Sequence, residues 1–402
     1  MTKLEKLIQE FCPDGVEFRP LEQCCNILDR KRKPVTKSSR EAGKYPYYGA
    51  NGIQDYVSDY IFDGTFILVG EDGSVITDRG TPVVTWASGK IWVNNHAHII
   101  EGNGTVLLRF LYHYIQTIDV SPLIHGNIPK LTGGDFRALT IPVPPLEVQR
   151  EIVRILDTFT ELTAELTAEL TARKQQYAYY RDKLLTFANG VKQMTIADIC
   201  RKVVSGGTPP VGNSDYYGGS IPWLRTQEVD WKDITDTAIK ITDEGLKNSS
   251  AKWIPANCVI VAMYGATAAK VAINKIPLTT NQACCNLEID SDIALYRYVF
   301  HWLCKEYLSL KGLGQGSQSN INAQTVKQYK IPIPPIPVQQ RIVTVLDNFD
   351  AICSDLNIGL PAEIEARKKQ YEFYRDQLLT FAAQDEIVLT DRQTDRQTDR
   401  RL

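Results

Sequence analysis

The pair His96 and His98 is the first place where side-chain type and spacing could support chemistry. Neutral imidazole is a common zinc ligand, and residues two apart in a strand lie on the same face. A structural zinc ion takes four ligands, however, and no third ligand stands at a workable spacing. The nine cysteines form no CxxC pair either. We therefore predict no metal site and expect reduced, mostly buried thiols.

No catalytic or cofactor-binding motif is complete in the sequence. Gly312, Gly314 and Gly316 do not follow a strand and open a helix, which favours a flexible loop over phosphate binding. Asp14 and Glu17 resemble part of a metal-nuclease motif but lack its lysine, which favours a turn. The patterns GxxxxGK[ST], GxSxG and HExxH are absent. We predict a chain with no catalytic residues and no cofactor of its own.

A strongly basic segment, residues 30–44 (RKRKPVTKSSREAGK), carries seven basic residues and one acidic residue. Aromatic and amide side chains follow it at once. Basic residues bind phosphates while amides can read bases, so the mixture is typical of nucleic-acid binding, with a solvated loop as the alternative. We predict DNA contacts from Arg30, Lys31, Arg32, Lys33, Lys37, Arg40, Lys44, Tyr47 and Asn51.

A second polar segment, residues 311–324 (KGLGQGSQSNINAQ), has amides and glycines without acidic residues. Amides can pair with adenine edges, and glycine allows a close approach to a backbone; a surface hinge is the alternative. Single basic residues elsewhere are further candidates, with ordinary surface positions as the alternative. These predicted DNA contacts are Gln315, Gln318, Asn320, Arg79, Lys90, Arg225, Lys252 and Lys270.

The elements that must position these residues occur twice in the chain. Residues 141–157 (IPVPPLEVQREIVRILD) match 331–347 (IPIPPIPVQQRIVTVLD) at ten of 17 positions. Residues 173–188 (RKQQYAYYRDKLLTFA) match 367–382 (RKKQYEFYRDQLLTFA) at 12 of 16 positions. The chain is thus two units, each a variable globular part followed by a strongly repeated segment.

The repeated segment has the apolar spacing of a long helix. In the first copy, apolar residues three and four apart run from Leu146 to Phe187, roughly 63 Å at about 1.5 Å per residue. Such a narrow stripe favours a partner helix, which the second copy offers. Gly359 and Pro361 should break that second helix. The tandem TAEL at 163–170 is either a slipped low-complexity insert or a spacer whose length sets the distance between two domains.

The globular parts have short alternating and apolar runs typical of strands, together with short amphipathic helices. We predict an α+β fold with two β-rich domains, each followed by a long helix, the two helices pairing as an antiparallel coiled coil. The predicted division is a first globular domain at 1–140, a central long helix at 141–188, a second globular domain at 189–330, a distal helix at 331–384 and a disordered polar-repeat tail at 385–402.

The overall charge does not suggest a uniformly basic protein. There are 45 basic and 47 acidic side chains, for a net charge of −2, so DNA binding would need a local basic surface. No apolar run is long enough to span a bilayer, and the first ten residues, MTKLEKLIQE, lack the apolar core of a signal peptide. We expect a cytoplasmic protein without membrane contact.

The arrangement of motifs resembles the specificity subunit of type I restriction-modification enzymes. The resemblance rests on PDGVEFRPL (13–21), on the two IPxPPxxVQ blocks and on the two RKxQYxxYRDxLLTFA blocks, and covers about residues 10–382. The tandem TAEL is similar to the spacer of the type IC group in this family. The terminal TDRQ repeats are not part of the family pattern.

The resemblance implies that each globular part is a target recognition domain for one half of a bipartite, asymmetric site in double-stranded DNA. It implies two modification (methyltransferase) subunits and restriction (translocase/nuclease) subunits as partners. It also implies that S-adenosylmethionine, ATP and magnesium belong to those partners and that this chain is non-catalytic. The alternatives are a coiled-coil scaffold without base readout and a self-contained restriction or methylation enzyme.

Overall fold

The computed structural model describes residues 2–73, 75–125, 127–188, 190–314, 320–354 and 358–380. The chain divides into two units: unit 1 comprises residues 1–166 and 363–402, and unit 2 comprises residues 167–362. The tail that the sequence predicts to be disordered, 385–402, lies outside the described residues.

The strands of unit 1 form one large sheet and two small ladders. They are β1 (Phe18–Pro20), β2 (Cys25–Ile27), β3 (Ala42–Gly49), β4 (Gly52–Val57), β5 (Phe62–Gly70), β6 (Val84–Val93), β7 (Ala97–Gly102), β8 (Ile124–His125), β9 (Lys130–Leu131) and β10 (Thr140–Pro142). The large sheet has the order β2-β7-β5-β6-β3-β4, and the ladders pair β1 with β10 and β8 with β9. β5 is antiparallel to both neighbours, whereas β3 is parallel to β6.

The continuous apolar run of β5 has a direct structural reason. Successive side chains of a strand point to opposite faces of the sheet. Ile67 and Val69 pack into one apolar core, while Phe66 and Leu68 pack into another. The run from Phe66 to Val69 is therefore apolar at every position, because both faces of the sheet are buried here.

The strands of unit 2 build two sheets. They are β11 (Gln193–Thr195), β12 (Cys200–Ser205), β13 (Tyr217–Leu224), β14 (Asp233–Ile234), β15 (Ile239–Ile241), β16 (Val259–Ala262), β17 (Val271–Asn274), β18 (Thr279–Thr280), β19 (Cys284–Ile289) and β20 (Lys330–Pro332). One sheet has the order β12-β19-β16-β17-β14 and the other β15-β13-β18, while β11 pairs with β20. β16 also alternates between two cores, with Val259 and Val261 in one and Ile260 in the other.

The helices confirm the predicted long element and its interrupted copy. They are α1 (Lys3–Phe11), α2 (Leu21–Cys24), α3 (Leu108–Ile115), α4 (Gly133–Ala138), α5 (Leu146–Leu184), α6 (Asp243–Lys247), α7 (Tyr296–Lys305), α8 (Tyr307–Gly312), α9 (Ala323–Gln328), α10 (Ile336–Ser354) and α11 (Leu360–Leu379). The 39-residue α5 is continuous through the TAEL repeats. Its copy is described as two helices, α10 and α11, as Gly359 and Pro361 predict.

Helix-to-helix contacts occur within each unit. In unit 1 the ring of Phe159 on α5 stacks on Tyr374 of α11, with 5.2 Å between centroids. In unit 2 Tyr180 of α5 stacks on Phe349 of α10 at 5.5 Å. These contacts support a partner for each half of α5, and the full antiparallel coiled coil stays a prediction.

A buried histidine connects the globular part of unit 1 to the long helices. His113 of α3 is fully buried, and its Nε2 lies 2.9 Å from Asp157 Oδ1 on α5. Its Nδ1 lies 2.8 Å from the hydroxyl of Tyr371 on α11. Arg109, one turn earlier on α3, donates from Nε to the same Asp157 oxygen at 2.7 Å. Burial lowers the pKa of His113, so the neutral ring donates to Asp157 and accepts from Tyr371.

Unit 2 contains the same four side chains in the same roles. His301 of α7 places Nε2 2.7 Å from Asp347 Oδ1 on α10 and Nδ1 3.1 Å from the hydroxyl of Tyr177 on α5. Arg297 donates to Asp347 at 2.8 Å. Burial lowers the pKa of His301, so Tyr177 is the donor to the neutral ring. Although burial opposes its ionisation, Asp347 has a lowered pKa because His301 and Arg297 donate to it.

A repeated glutamine closes the start of each long helix. Gln149 Oε1 accepts the main-chain N–H of Leu107 at 2.8 Å, and its Nε2 donates to the carbonyl of Pro144 at 2.7 Å. Gln339 is bonded in the same way to Leu295 and Pro334 at 2.9 and 2.8 Å. Both glutamines are at most 1% exposed, so their hydrogen bonds satisfy polar groups that water cannot reach.

The cysteines confirm the expectation of buried free thiols. All nine are unpaired, eight are buried and Cys200 is half-buried. Burial raises the pKa of Cys25, Cys258 and Cys285 to about 12, which keeps these thiols protonated. Separately, no helix in the described ranges is both long enough and apolar enough to cross a membrane.

Replacing Tyr177 by phenylalanine removes the proton that His301 Nδ1 accepts and leaves a buried acceptor unpaired. We expect Tyr177→Phe to lower the free energy of unfolding by about 1–2 kcal/mol in urea denaturation. Tyr179→Phe is the matched control, because Tyr179 is 59% exposed two residues away. Equal stability of the two variants would contradict the network.

Candidate nucleic-acid interface

The basic segment of unit 1 is held to the sheet by Asp29, the residue directly before it. The Oδ1 atom of Asp29 accepts the main-chain N–H of Ile99 on β7 at 3.0 Å. Its Oδ2 lies 2.7 Å from Nδ1 of the buried His98. Nε2 of His98 in turn lies 3.0 Å from the carbonyl of Leu131. The two ring nitrogens of His98 therefore connect Asp29 to the main chain of Leu131.

Arg32 is directed inward and not towards solvent. Its side chain is 12% exposed. Its Nη1 donates to Glu71 Oε2 at 2.5 Å and to the carbonyl of Ala97 at 2.7 Å, and its Nε donates to the Asp29 carbonyl at 3.0 Å. Arg32 therefore supports the loop from inside. The sequence instead predicts a DNA contact for this residue, because it lies in a basic run.

The fold brings carboxylates to His98 that the sequence spacing does not reveal. Asp29, Glu71 and His98 offer ligand atoms within 4.8 Å of one another, a possible set for a metal ion. His96, expected on the same strand face, is instead half exposed and pairs with Asp72. Arg32 and Lys130 both pair with Glu71, so cations of the protein already balance these carboxylates. These ion pairs satisfy the carboxylates of the cluster, and the absence of a metal site stays a prediction.

Arg40 and Tyr47 also have internal partners. Tyr47 is 1% exposed, and its hydroxyl accepts the main-chain N–H of Val35 at 3.0 Å. The guanidinium of Arg40 lies over the Tyr47 ring, 4.2 Å from the centroid, and pairs with Asp55 at 3.2 Å. These two residues fix the path of the loop and offer little surface to a ligand, contrary to what their types suggest.

The remaining basic residues of the loop face outward. Arg30, Lys31, Lys33 and Lys37 are exposed, and none of them forms an ion pair within the described ranges. The main chain beneath them is held in place, since Trp92 Nε1 donates to the Lys33 carbonyl at 2.6 Å. Four cations on a fixed backbone form a local positive surface that suits phosphate groups.

A second group of basic and aromatic side chains lies on the same sheet. Tyr45 and Tyr60 pack with ring centroids 5.1 Å apart. Lys44 lies over Tyr45 at 5.3 Å, and Lys90 lies over Tyr60 at 4.6 Å. A hydrogen bond with Tyr60 raises the pKa of Lys90. The structure thus unites two predicted contacts, Lys44 and Lys90, through tyrosines that are absent from the predicted set.

The two remaining candidates of unit 1 are Asn51 and Arg79. Asn51 is exposed at the turn between β3 and β4. Arg79 pairs with Glu372 of α11 at 2.7 Å. Gly80 has a φ of +78°, and a Cβ there would lie 2.2 Å from Ser121 Oγ, so this tight turn requires glycine and carries Arg79 to α11. Arg79 therefore belongs to a surface ion pair with α11, and its side chain is still 57% exposed.

The candidates of unit 2 are more dispersed. Lys270 pairs with Asp230 at 2.6 Å, and Asn320 Oδ1 accepts the main-chain N–H of Gly265 at 3.0 Å. Lys252 is exposed, and Arg225 is half-buried with no partner for its Nε in the described part of the chain. Gln315 and Gln318 lie outside the described residues. Lys252 and Arg225 remain the available cations among the predicted contacts of this unit.

Comparisons with known proteins give a consistent result across the chain. Residues 13–173 and 189–366 match the family model described as "Type I restriction modification DNA specificity domain". A protein of Haemophilus influenzae named as a type I restriction enzyme specificity subunit is 35% identical over 399 residues, covering 95% of this chain and 99% of its own length. The specificity subunit of the Escherichia coli enzyme EcoR124I/EcoR124II is 37% identical over 290 residues, covering 68% and 71%.

A solved structure supports the same fold. The crystal structure of a type I restriction-modification S subunit from M. genitalium aligns with a TM-score of 0.54. The alignment covers 92% of this chain and 96% of that one, at 14% sequence identity. This likeness concerns the fold.

Removing Arg32 should destabilise unit 1, because the carboxylate of Glu71, with 13% of its side chain exposed, loses its nearest cation, and Asp29 loses a second cation 3.6 Å away. We expect Arg32→Ala to lower the free energy of unfolding by about 3 kcal/mol. Arg30→Ala, an exposed cation two residues earlier, should change it by less than about 0.5 kcal/mol. Urea denaturation of both variants distinguishes a residue that supports the loop from one at the surface. An unchanged free energy of unfolding in Arg32→Ala would contradict the inward role of Arg32.

Proposed function

The chain belongs to the family of type I restriction-modification DNA specificity subunits, and from this we propose that its two globular parts each read one half of a bipartite, asymmetric site in double-stranded DNA. The observation that carries this proposal is the double match, one family domain over residues 13–173 and a second over 189–366. Two different globular parts on repeated helices suit two different half-sites. The chain itself is non-catalytic, as a specificity subunit.

The charge distribution supports a DNA contact on unit 1 despite the net charge of −2. Nucleic-acid affinity depends on local cations that neutralise phosphates. Arg30, Lys31, Lys33 and Lys37 form such a surface. Lys44 and Lys90 lie over the rings of Tyr45 and Tyr60, and aromatic rings are side chains on which bases stack. We assign the first group to phosphates and the second to the bases or sugars beside them.

The specificity subunit assembles with other subunits of the restriction-modification system and with DNA. We propose that the repeated helices pair as an antiparallel coiled coil and carry two modification subunits, with restriction subunits completing the complex. In this proposal S-adenosylmethionine, ATP and magnesium are bound by those partners, and the assembly works in the cytoplasm. The TAEL spacer, which we place in the type IC group, sets the distance between the half-sites.

The family assignment favours this function over both alternatives. A scaffold without base readout accounts for the helices but not for two dissimilar sheet-rich parts with outward basic residues. A self-contained enzyme needs a catalytic domain, whereas specificity is the role of this family. Binding of S-adenosylmethionine by the isolated chain would instead favour the self-contained enzyme.

Methylation mapping tests the function directly. Long-read sequencing of a host that expresses this chain with its cognate modification subunit should show one new asymmetric, split adenine-methylation motif. Exchanging residues 190–330 for those of another family member should change one half of the motif and leave the other half intact. An assembled complex with no new motif would contradict DNA readout.

The phosphate assignment predicts a change in salt dependence. The variant Lys31→Ala/Lys33→Ala/Lys37→Ala should weaken DNA binding by the modification complex and reduce the slope of log affinity against log salt by about 2–3. Lys6→Ala is the control, because Lys6 is exposed on α1, away from the basic segment in sequence. Fluorescence anisotropy at several salt concentrations measures both, and an unchanged slope in the triple variant would contradict the assignment.

A further inference from the structure

Several loops of unit 2 meet where its strands end. β13 and β18 are parallel neighbours, with Leu224 opposite Thr280, so both strands end at the same edge. The main-chain N–H of Asn281 donates to the Leu224 carbonyl at 3.0 Å, and that of Met263, after β16, donates to the Ala283 carbonyl at 2.8 Å. The segments that follow β13, β16 and β18 therefore lie side by side.

A glycine brings a fourth loop to the same place. The N–H of Gly207, after β12, donates to the Thr280 carbonyl at 2.9 Å. A Cβ at Gly207 would overlap the main chain of Ala251, so this close approach requires glycine. The next residue, Thr208, then donates its hydroxyl to Oε1 of Gln282.

The turn after β13 is fixed by a carboxylate that binds main-chain groups. Oε1 of Glu228 accepts the N–H of Arg225 at 3.3 Å, and its Oε2 accepts that of Ala238 at 2.8 Å. The hydroxyl of Thr267 donates to the Thr226 carbonyl at 2.8 Å and ties the loop after β16 to this turn. The turn is thus held in place without use of the Arg225 guanidinium.

Four side chains of these loops are available to a ligand. Gln227, Tyr264 and Gln282 are exposed, and Tyr264 keeps 44% of its surface in water. Arg225 is half-buried, and its Nε has no hydrogen-bond partner among the residues that the structure describes. Three of the four carry no charge, in contrast to the outward lysines of unit 1.

These side-chain types suit base edges better than phosphates. A guanidinium pairs with O6 and N7 of guanine, and a side-chain amide pairs with N6 and N7 of adenine. Phosphate contacts come mainly from cations and carry no sequence information. Lys252 is the exposed cation beside these loops, since it follows Ala251, which lies against Gly207.

We propose that this reading edge (Arg225, Gln227, Tyr264 and Gln282) recognises the base pairs of the half-site that unit 2 reads. Arg225 binds a guanine, the two glutamines bind neighbouring base edges, and Lys252 holds an adjacent phosphate. The inference rests on the proposed function and deepens it by naming the residues that determine one half of the sequence. Because the reading edge is mostly neutral, its substitution should alter discrimination between bases more than salt dependence.

Methylation mapping of the full complex tests the reading edge. Gln227→Ala and Gln282→Ala should each relax one position in the half of the motif that exchange of residues 190–330 alters, with discrimination reduced roughly tenfold. Gln193→Ala, at an exposed position of β11 outside these loops, is the matched control and should leave the motif unchanged. An intact other half of the motif shows that each variant folds and assembles.

Fluorescence anisotropy at several salt concentrations separates base contacts from phosphate contacts. Arg225→Lys keeps the charge but loses the planar fork, so it should relax the requirement for guanine and leave the slope of log affinity against log salt unchanged. Lys252→Ala should weaken binding to all sequences equally and reduce that slope by about 1.

Three outcomes would overturn the reading edge. These are an unchanged motif in all variants of its residues, a change confined to the other half of the motif, or uniform weakening by the glutamine variants with a reduced salt slope. Failure of the proposed function is distinguishable from these. In that case wild type itself would show no split motif, or the exchange of residues 190–330 would leave the motif unaltered.

Discussion

A buried imidazole that must hydrogen-bond at both ring nitrogens is the constraint on which each unit depends. His113 and His301 use one nitrogen to donate to an aspartate in a long helix and the other to accept from a tyrosine. The tyrosine of unit 1 is Tyr371, near the end of the chain, and that of unit 2 is Tyr177, in the central helix. Each globular part is therefore completed by a helix from the other copy of the repeat, which supplies the donor for one nitrogen of the buried histidine.

The residues that hold each unit together are different from the residues that face a ligand, so the second set can vary while the fold stays the same. The repeated glutamine, aspartate and tyrosine hold the frame, while the loops on the sheets carry the residues that face a ligand. In unit 1 the loop itself is supported by buried ion pairs of Arg32 and by the Arg40–Tyr47 contact. The outward lysines can change without loss of a buried partner, so the residues that face a ligand can diverge between relatives at little cost in stability.

The duplication is not symmetric in its surfaces. The N-terminal helix α1 packs on the first long helix, where Lys3 pairs with Glu151 of α5 at 2.7 Å. In α10, Arg341 stands at the position equivalent to Glu151 and is exposed, and Val338 and Val345 are 39% and 40% exposed. The two copies of the long helix therefore differ in charge and in exposure, because only the first packs against a helix that precedes it in the chain.

The sequence by itself determined the duplication, the long helix, the break near Gly359 and the sheet-rich character of the globular parts, because these follow from local spacing and conformational preference. The RFLYH and RYVFH segments at 109–113 and 297–301 also carry a signal for the histidine networks that local motif reading missed. Only the tertiary structure decided which basic residues face outward. Arg32 and Lys33 are neighbours in one basic run, yet Arg32 is paired with Glu71, 39 residues further on, while Lys33 stays exposed. A run of charges does not reveal which of them a distant carboxylate will neutralise, since that depends on how the strands pair.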